Sequence, residues 1–287
     1  MDDLAETCDE LVRLWHSRAE IDPARDLPRY HDARLHTVSA LASHAHRCGE
    51  TAMHLIGRGL WLESAPLVRL AFECAVTAHW VAQVPDGVEA ILNNDYRSRR
   101  AMRSTLERLG IWQPEGEDSD PVRSEEPHNV DLQTPGGTGI GRHTQERDQD
   151  HESASGPQAK NFEQMCLDLE PGGPQLYSYY RSLSWFSHPT NYVMDQYTEL
   201  VSTEADDNSL LRLRRTPKSG EPESENEYLF AFLCTMSLVL AASALDLLDM
   251  GRLHEQRIVE LAGRAWAQPR LTLTAKARAR VFGEEAS

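Results

Sequence analysis

The chain has 287 residues, 40% hydrophobic and 26% charged, enough for a sizeable packed core and ordinary for a soluble globular protein. Its formal net charge of -16 argues against a general nucleic-acid-coating protein, because phosphate affinity is largely an electrostatic quantity. The five cysteines (Cys8, Cys48, Cys74, Cys166, Cys234) are odd in number and never spaced Cys-x-x-Cys, which excludes a zinc ribbon or a disulfide framework and suits free thiols in a reducing cytoplasm. The opening MDDLAETCDE also lacks the basic region and apolar run of a signal peptide.

Residues 1–30 hold one apolar-periodic piece, Leu4, Leu11, Val12, Leu14 and Trp15, closed by Pro23 and Pro28 and read as a docking helix. From about Asp32 to Arg58, Leu35, Val38, Leu41, Ala42, Ala45, Ala52, Leu55 and Ile56 keep helical period, with Gly57 and Gly59 as the stop. The opposite side carries His46, Glu50 and His54, a spacing able to hold zinc but without a fourth ligand, so a solvated face is the expectation and no metal or cofactor is assigned. A second helix, about Ser64 to Val84, is apolar all round except for Arg69, Glu73 and His79 and is therefore expected to be buried. Arg69 and Glu73 stand at i and i+4 in the order that contributes least to helix stability. Either they fix helix register or they flank a cleft.

Asp86 and Glu89 have the spacing of a capping box and open a third helix that stops at Gly110, with Val88, Ile91, Met102, Leu106 and Leu109 inward. Its outer face carries Arg97, Arg100 and Arg103, with Arg99 beside them, as a candidate contact for RNA phosphates, a partner for an acidic segment, or a plain solvated face. Residues 114–159 contain five prolines, six glycines and 11 acidic residues against three arginines, a net charge of -8, and no aromatic side chain. They read as a disordered acidic insertion. A short helix over about Lys160 to Leu169 precedes Pro171-Gly-Gly-Pro174.

Leu176 to Tyr192, LYSYYRSLSWFSHPTNY, places Leu176, Tyr179, Tyr180, Leu183 and Phe186 on one helical stripe and Tyr177, Arg181, Ser184 and His188 on another. Arg181 and His188 are about two turns and ~10 Å apart on the same side, and Pro189 biases His188 out of the helix. An arginine is a permanent bidentate phosphate ligand and a histidine moves protons near neutral pH, so the pair suits a phosphodiester. The alternative is a capping or salt-bridging role. In the polar run 202–227, Leu211, Leu213 and the turn chemistry of RRTPKSGEPE (214–223) allow a small hairpin. Tyr228 to Leu245 has no charged residue over 18 positions; its acidic flanks and Ala, Ser and Thr content favour a central bundle helix over a membrane span. A last helix near Leu253 to Trp266 turns Leu253, Ile258, Leu261 and Ala265 inward, and residues 269–287 read as a flexible tail.

The Arg-x6-His spacing, with the LVRLAFE and YRSLSWFSHPT segments and the order of helices, resembles the HEPN superfamily over roughly residues 33–250. That resemblance implies an all-α HEPN-like helical bundle, built here from 31–113 and 160–268, and a homodimer with a composite site. It implies a metal-independent ribonuclease of toxin or phage-defence type, with RNA as substrate and a protein partner or antitoxin as regulator. By residue, the resemblance implies that Arg181 would bind the phosphate and His188 would move the proton. Arg69 and Glu73, polar on an otherwise apolar helix, and Tyr177 and Ser184, on the stripe of Arg181 and His188, complete the candidate catalytic set on those grounds and have no place in the motif. Ser182 departs from the Asn, Asp or His that usually follows the arginine. The other class of function open to the chain is a non-catalytic interaction or nucleotide-binding module.

Overall fold

The computed structural model describes residues 2–18, 31–111, 154–202, 211–215, 225–249, 252 and 254–283. It is all-α in class, and three long helices make its centre: α2 (His31–Ile56), α3 (Trp61–Gln83) and α9 (Glu225–Asp246), with α1 (Asp2–Ser17) packed against α9. α3 and α9 are the apolar runs of the sequence, and both are buried on nearly every side, from Trp61 to Ala82 in one and from Phe230 to Asp246 in the other. A helix with no polar face must sit inside a bundle. Thus α9, long and apolar enough to cross a membrane, is instead the core helix of this bundle, enclosed by protein along most of its length. α2 approaches it closely at Gly49, where a Cβ would come within 2.7 Å of Leu238, and the Cys234 thiol donates to the Gly49 carbonyl at 3.2 Å.

α1 docks as its pattern predicts, burying Leu4, Cys8 and Leu11. Its end is tied by Arg18, whose Nη2 donates to Asp249 at 2.8 Å and lies 3.5 Å from Asp246, at the far end of α9. α10 (Glu255–Arg264) packs on both, with Ile258, Leu261 and Ala265 inward as expected. Leu253 lies outside the described residues.

α4 (Gly87–Arg108) differs from its predicted orientation. Only Gly87 and Ala90 are buried, while Met102 and Leu109, expected inward, are 60% and 61% exposed. The helix leaves the bundle after its first turns, so no core is available to its distal apolar side chains. The Asp86 side chain makes no capping bond either. Its carboxylate accepts instead from the backbone N–H (2.9 Å) and hydroxyl (2.6 Å) of Ser155, which opens α5 (Gly156–Lys160). The end of the stretch read as acidic insertion is therefore packed structure, because one carboxylate satisfies two donors that local composition cannot anticipate. Residues 112–153, the rest of that insertion, lie outside the described residues.

Beyond α5 come α6 (Phe162–Leu167), β1 (Leu169–Glu170), α7 (Gly173–Ser187), α8 (Asn191–Tyr197), β2 (Thr198–Ser202) and β3 (Leu211–Arg215). Leu211 and Leu213 lie in a hairpin strand as expected, but its antiparallel partner is β2 on the N-terminal side, and Arg214 and Arg215, read as the start of the turn, belong to β3. The segment after Pro269, expected to be loose, is ordered through Phe282 as β4 (Thr272–Leu273), which pairs with β1, and α11 (Ala275–Phe282). Leu271, Leu273 and Ala277 are buried, Thr274 caps α11 through Ala277 N–H at 3.2 Å, and Arg280 grips Asp168. A tail with few apolar residues is held here by those buried side chains together with a cap and a charge pair.

Among the described residues two histidines are buried in this core. His46, expected on a solvated face, is only 2% exposed and stacks on Trp15 with ring centroids 4.3 Å apart, its Nδ1–H donating to the Ala42 carbonyl at 2.8 Å. Glu50 and His54 part from it and line an open groove of about 490 Å³ between α1 and α2. His79 is wholly buried and its Nε2 accepts from Leu271 N–H at 3.3 Å. Burial pushes both imidazoles down to about 4 from an ordinary 6.5. Between those two values the unfolded chain binds protons that the folded chain refuses, so stability present above pH 6.5 is lost as the pH falls toward 4. Going from neutral pH to pH 5.5 is expected to cost about 1 kcal/mol per histidine. Urea titrations at the two pH values test it, with His79→Gln removing roughly half of the difference.

Candidate functional site

α7 is anchored by its apolar stripe: Leu176 and Leu183 are buried, and Phe186 meets Phe230 at 5.1 Å and Tyr192 at 5.0 Å between ring centroids. Pro189 ends it. His188, the residue before that proline, is the C-cap in extended backbone (φ -114°, ψ 155°), as the clash with a following proline ring requires. Thr190 then accepts from Val193 N–H at 3.3 Å and starts α8. The imidazole is thereby held at an exposed corner between two helices.

Arg69 reaches that corner from α3. Its Nη2 donates to the Tyr180 hydroxyl at 2.8 Å, its guanidinium carbon lies 5.0 Å from the Tyr180 ring centroid, and its Nη1 is 3.3 Å from His188 Nε2. Of the two readings of Arg69 and Glu73, the internal pair does not form: Arg69 turns to α7, and Glu73 is half-buried without a salt bridge among the described residues. Burial raises the Glu73 carboxyl above its ordinary range, with Arg69 pulling it partly back. A carboxyl in that environment holds a proton more readily than a solvated one.

The remaining candidates divide. Arg181 is exposed, with no hydrogen-bond or ion-pair partner among the described residues. Ser184 spends its hydroxyl proton on the Tyr180 carbonyl at 2.8 Å, as Ser182 does on Ser178 at 3.1 Å, which leaves neither as a ready donor. Tyr177 is half-buried against the core and stacks toward Tyr180 at 6.3 Å. Arg97 and Arg100 are exposed and Arg103 half-exposed on α4, which begins at the far end of α3 from Arg69, some 20 Å along the axis. Within the fold α4 packs chiefly against α5.

Two side chains escaped the reading of the sequence. Tyr180 was placed on the apolar stripe, yet its hydroxyl is the acceptor that orients Arg69; a buried-face tyrosine needs a polar partner, and that need is the signal. Trp185, between Arg181 and His188 on the same helix, is 62% exposed.

Residues 35–208 match the model of a family described as a family of unknown function, DUF5677. The chain belongs to the DUF5677 family. No curated protein and no solved structure matches it. The part of the chain shared with DUF5677 begins within α2 and includes Arg69, Tyr180, Arg181 and His188, whereas α1, α9, α10 and α11 lie outside it.

Proposed function

We propose that this DUF5677 protein is a metal-independent endoribonuclease of HEPN-like type, acting in the cytoplasm as a toxin or phage-defence effector. The observation that carries the reading is the meeting of an exposed imidazole with a guanidinium from another helix, Arg69 Nη1 to His188 Nε2 at 3.3 Å, with the uncommitted Arg181 two turns back on α7. Guanidinium groups neutralise a phosphodiester and stabilise the charge that builds up on it as the bond order changes. His188 removes the 2′-hydroxyl proton or returns one to the leaving oxygen. Arg97, Arg100 and Arg103 hold more distant phosphates of the strand. The test is cleavage of RNA by the purified chain in the presence of EDTA.

The same reading makes the protein a homodimer whose α7 faces meet, and the exposed Trp185 supports such a surface. Light scattering of the purified chain is expected to return twice the 32.3 kDa of one copy, with Trp185→Asp shifting it toward the monomer. A monomeric wild type removes the composite-site form of the proposal. A second reading, a non-catalytic module that docks a protein partner, draws on the same exposed Trp185 and on the spent hydroxyls of Ser182 and Ser184. It predicts no cleavage under any condition.

A further inference from the structure

An arginine side chain carries only donors. The 3.3 Å approach of Arg69 Nη1 to His188 Nε2 is therefore a hydrogen bond only if Nε2 offers its lone pair, which places the imidazole proton on Nδ1. A neutral imidazole free in water prefers the other tautomer. Arg69 is itself held in place by two contacts with one residue, the Tyr180 hydroxyl at 2.8 Å and the Tyr180 ring at 5.0 Å. Tyr180 is in turn fixed by Phe162, at 4.4 Å between ring centroids. The order of dependence runs from the aromatic cluster to Tyr180, to Arg69, to the ring nitrogens of His188.

The structure assigns to Arg69 and Tyr180 a positioning role: they select the Nδ1–H form of His188 and keep its Nε2 lone pair covered until an anionic phosphate draws the guanidinium away. The last step rests on the ribonuclease reading; the tautomer does not. An anionic phosphate oxygen is a stronger acceptor for a guanidinium than a neutral imidazole nitrogen, so an incoming phosphodiester competes for Arg69. The Arg69 Nε–H is buried with no partner, which leaves the group less than fully tied. Once uncovered, Nε2 takes the proton of the 2′-hydroxyl as the 2′-oxygen bonds to phosphorus. The bond from phosphorus to the 5′-oxygen breaks, and that oxygen leaves with the electron pair and is protonated by solvent. The substrate class is thus a phosphodiester with a neighbouring hydroxyl, and the free protein keeps its base in reserve.

The experiment is a long-range proton–nitrogen correlation spectrum of the full chain labelled at histidine nitrogen, at a pH where the imidazoles are neutral, with His188 assigned by its loss in His188→Gln. The expected spectrum shows His188 protonated on Nδ1. In Arg69→Ala, and in Tyr180→Phe, which keeps the ring but loses the hydroxyl, the signal moves toward the Nε2–H form. A 2′-deoxy oligonucleotide, which the chain cannot cleave, moves the wild-type signal the same way. A wild-type His188 protonated on Nε2, or one unaltered in both variants, overturns the assignment. Should Arg69→Ala fail to fold, Tyr180→Phe decides alone, since it removes one hydroxyl. Cleavage of RNA together with Nε2 protonation sinks the positioning role only; Nδ1 protonation with no cleavage sinks the ribonuclease reading only.

Discussion

His188→Ala is expected to lower RNA cleavage by roughly 10²- to 10⁴-fold, the usual contribution of a positioned general acid or base. Stability is expected to stay within about 0.5 kcal/mol, because the side chain is an exposed helix cap whose removal opens no cavity. Arg181→Ala is expected to show a comparable loss, its guanidinium being exposed and free of structural partners among the described residues. Arg181→Lys separates charge from geometry: a point charge cannot present the planar fork that grips two phosphate oxygens, so a substantial loss is expected there as well. A fluorescently labelled RNA incubated with each variant in chelator, beside its thermal melt, makes the measurement. Full activity in both alanine variants, or loss that merely tracks unfolding, rejects the ribonuclease proposal.

Asp168→Ala is expected to destabilise the fold by about 3–5 kcal/mol, from the stranding of a buried indole donor together with the loss of an ion pair whose arginine is partly exposed. Asp168 is buried and accepts from Trp80 Nε1 at 3.0 Å and from both terminal nitrogens of Arg280, at 2.9 and 2.5 Å. Its truncation strands the buried indole N–H of α3 and leaves Arg280 without its counter-charge, loosening α11 from the bundle. Asp168→Asn keeps an acceptor oxygen for the indole but loses the charge and turns one acceptor for Arg280 into a donor, so its effect should be smaller than that of alanine but not absent. The melting temperature of the alanine variant is expected to fall by ~6–20 °C. A fall of less than about 2 °C would show that α11 is held by its apolar contacts alone.

The residues of the candidate site were legible one by one. Arg69, Glu73, Arg181 and His188 stand out in the sequence because each is a polar group on an otherwise apolar helix or at a helix stop, and such groups need a reason. Their pairing was not legible. Arg69 and Glu73 are adjacent on one helix face, which local spacing reads as a pair, yet the guanidinium finds Tyr180 and His188 on α7, 111 and 119 residues away. In the same way Asp86 looks like a cap three residues before Glu89 and serves a donor 69 residues on. Asp168 and Arg280, 112 residues apart, turn an unpromising tail into a packed element.

By itself the sequence determined the long helices and which of them lie deepest, but not the short α5, α8 and α11. The runs of α3 and α9 have no polar face to give to water, and the period of α2 leaves it only one apolar side, so burial follows from each segment alone. The alternation of β3, LRLRR, is equally local, whereas its partner β2, TELVS, carries no such pattern. Only the tertiary structure decided which polar atoms meet, because a donor accepts any acceptor brought within about 3 Å, and packing of the apolar faces alone sets which ones arrive. The tautomer of His188 is the extreme case: a proton's place on one ring depends on an arginine 119 residues distant, carried there by a helix whose own position is fixed by the core.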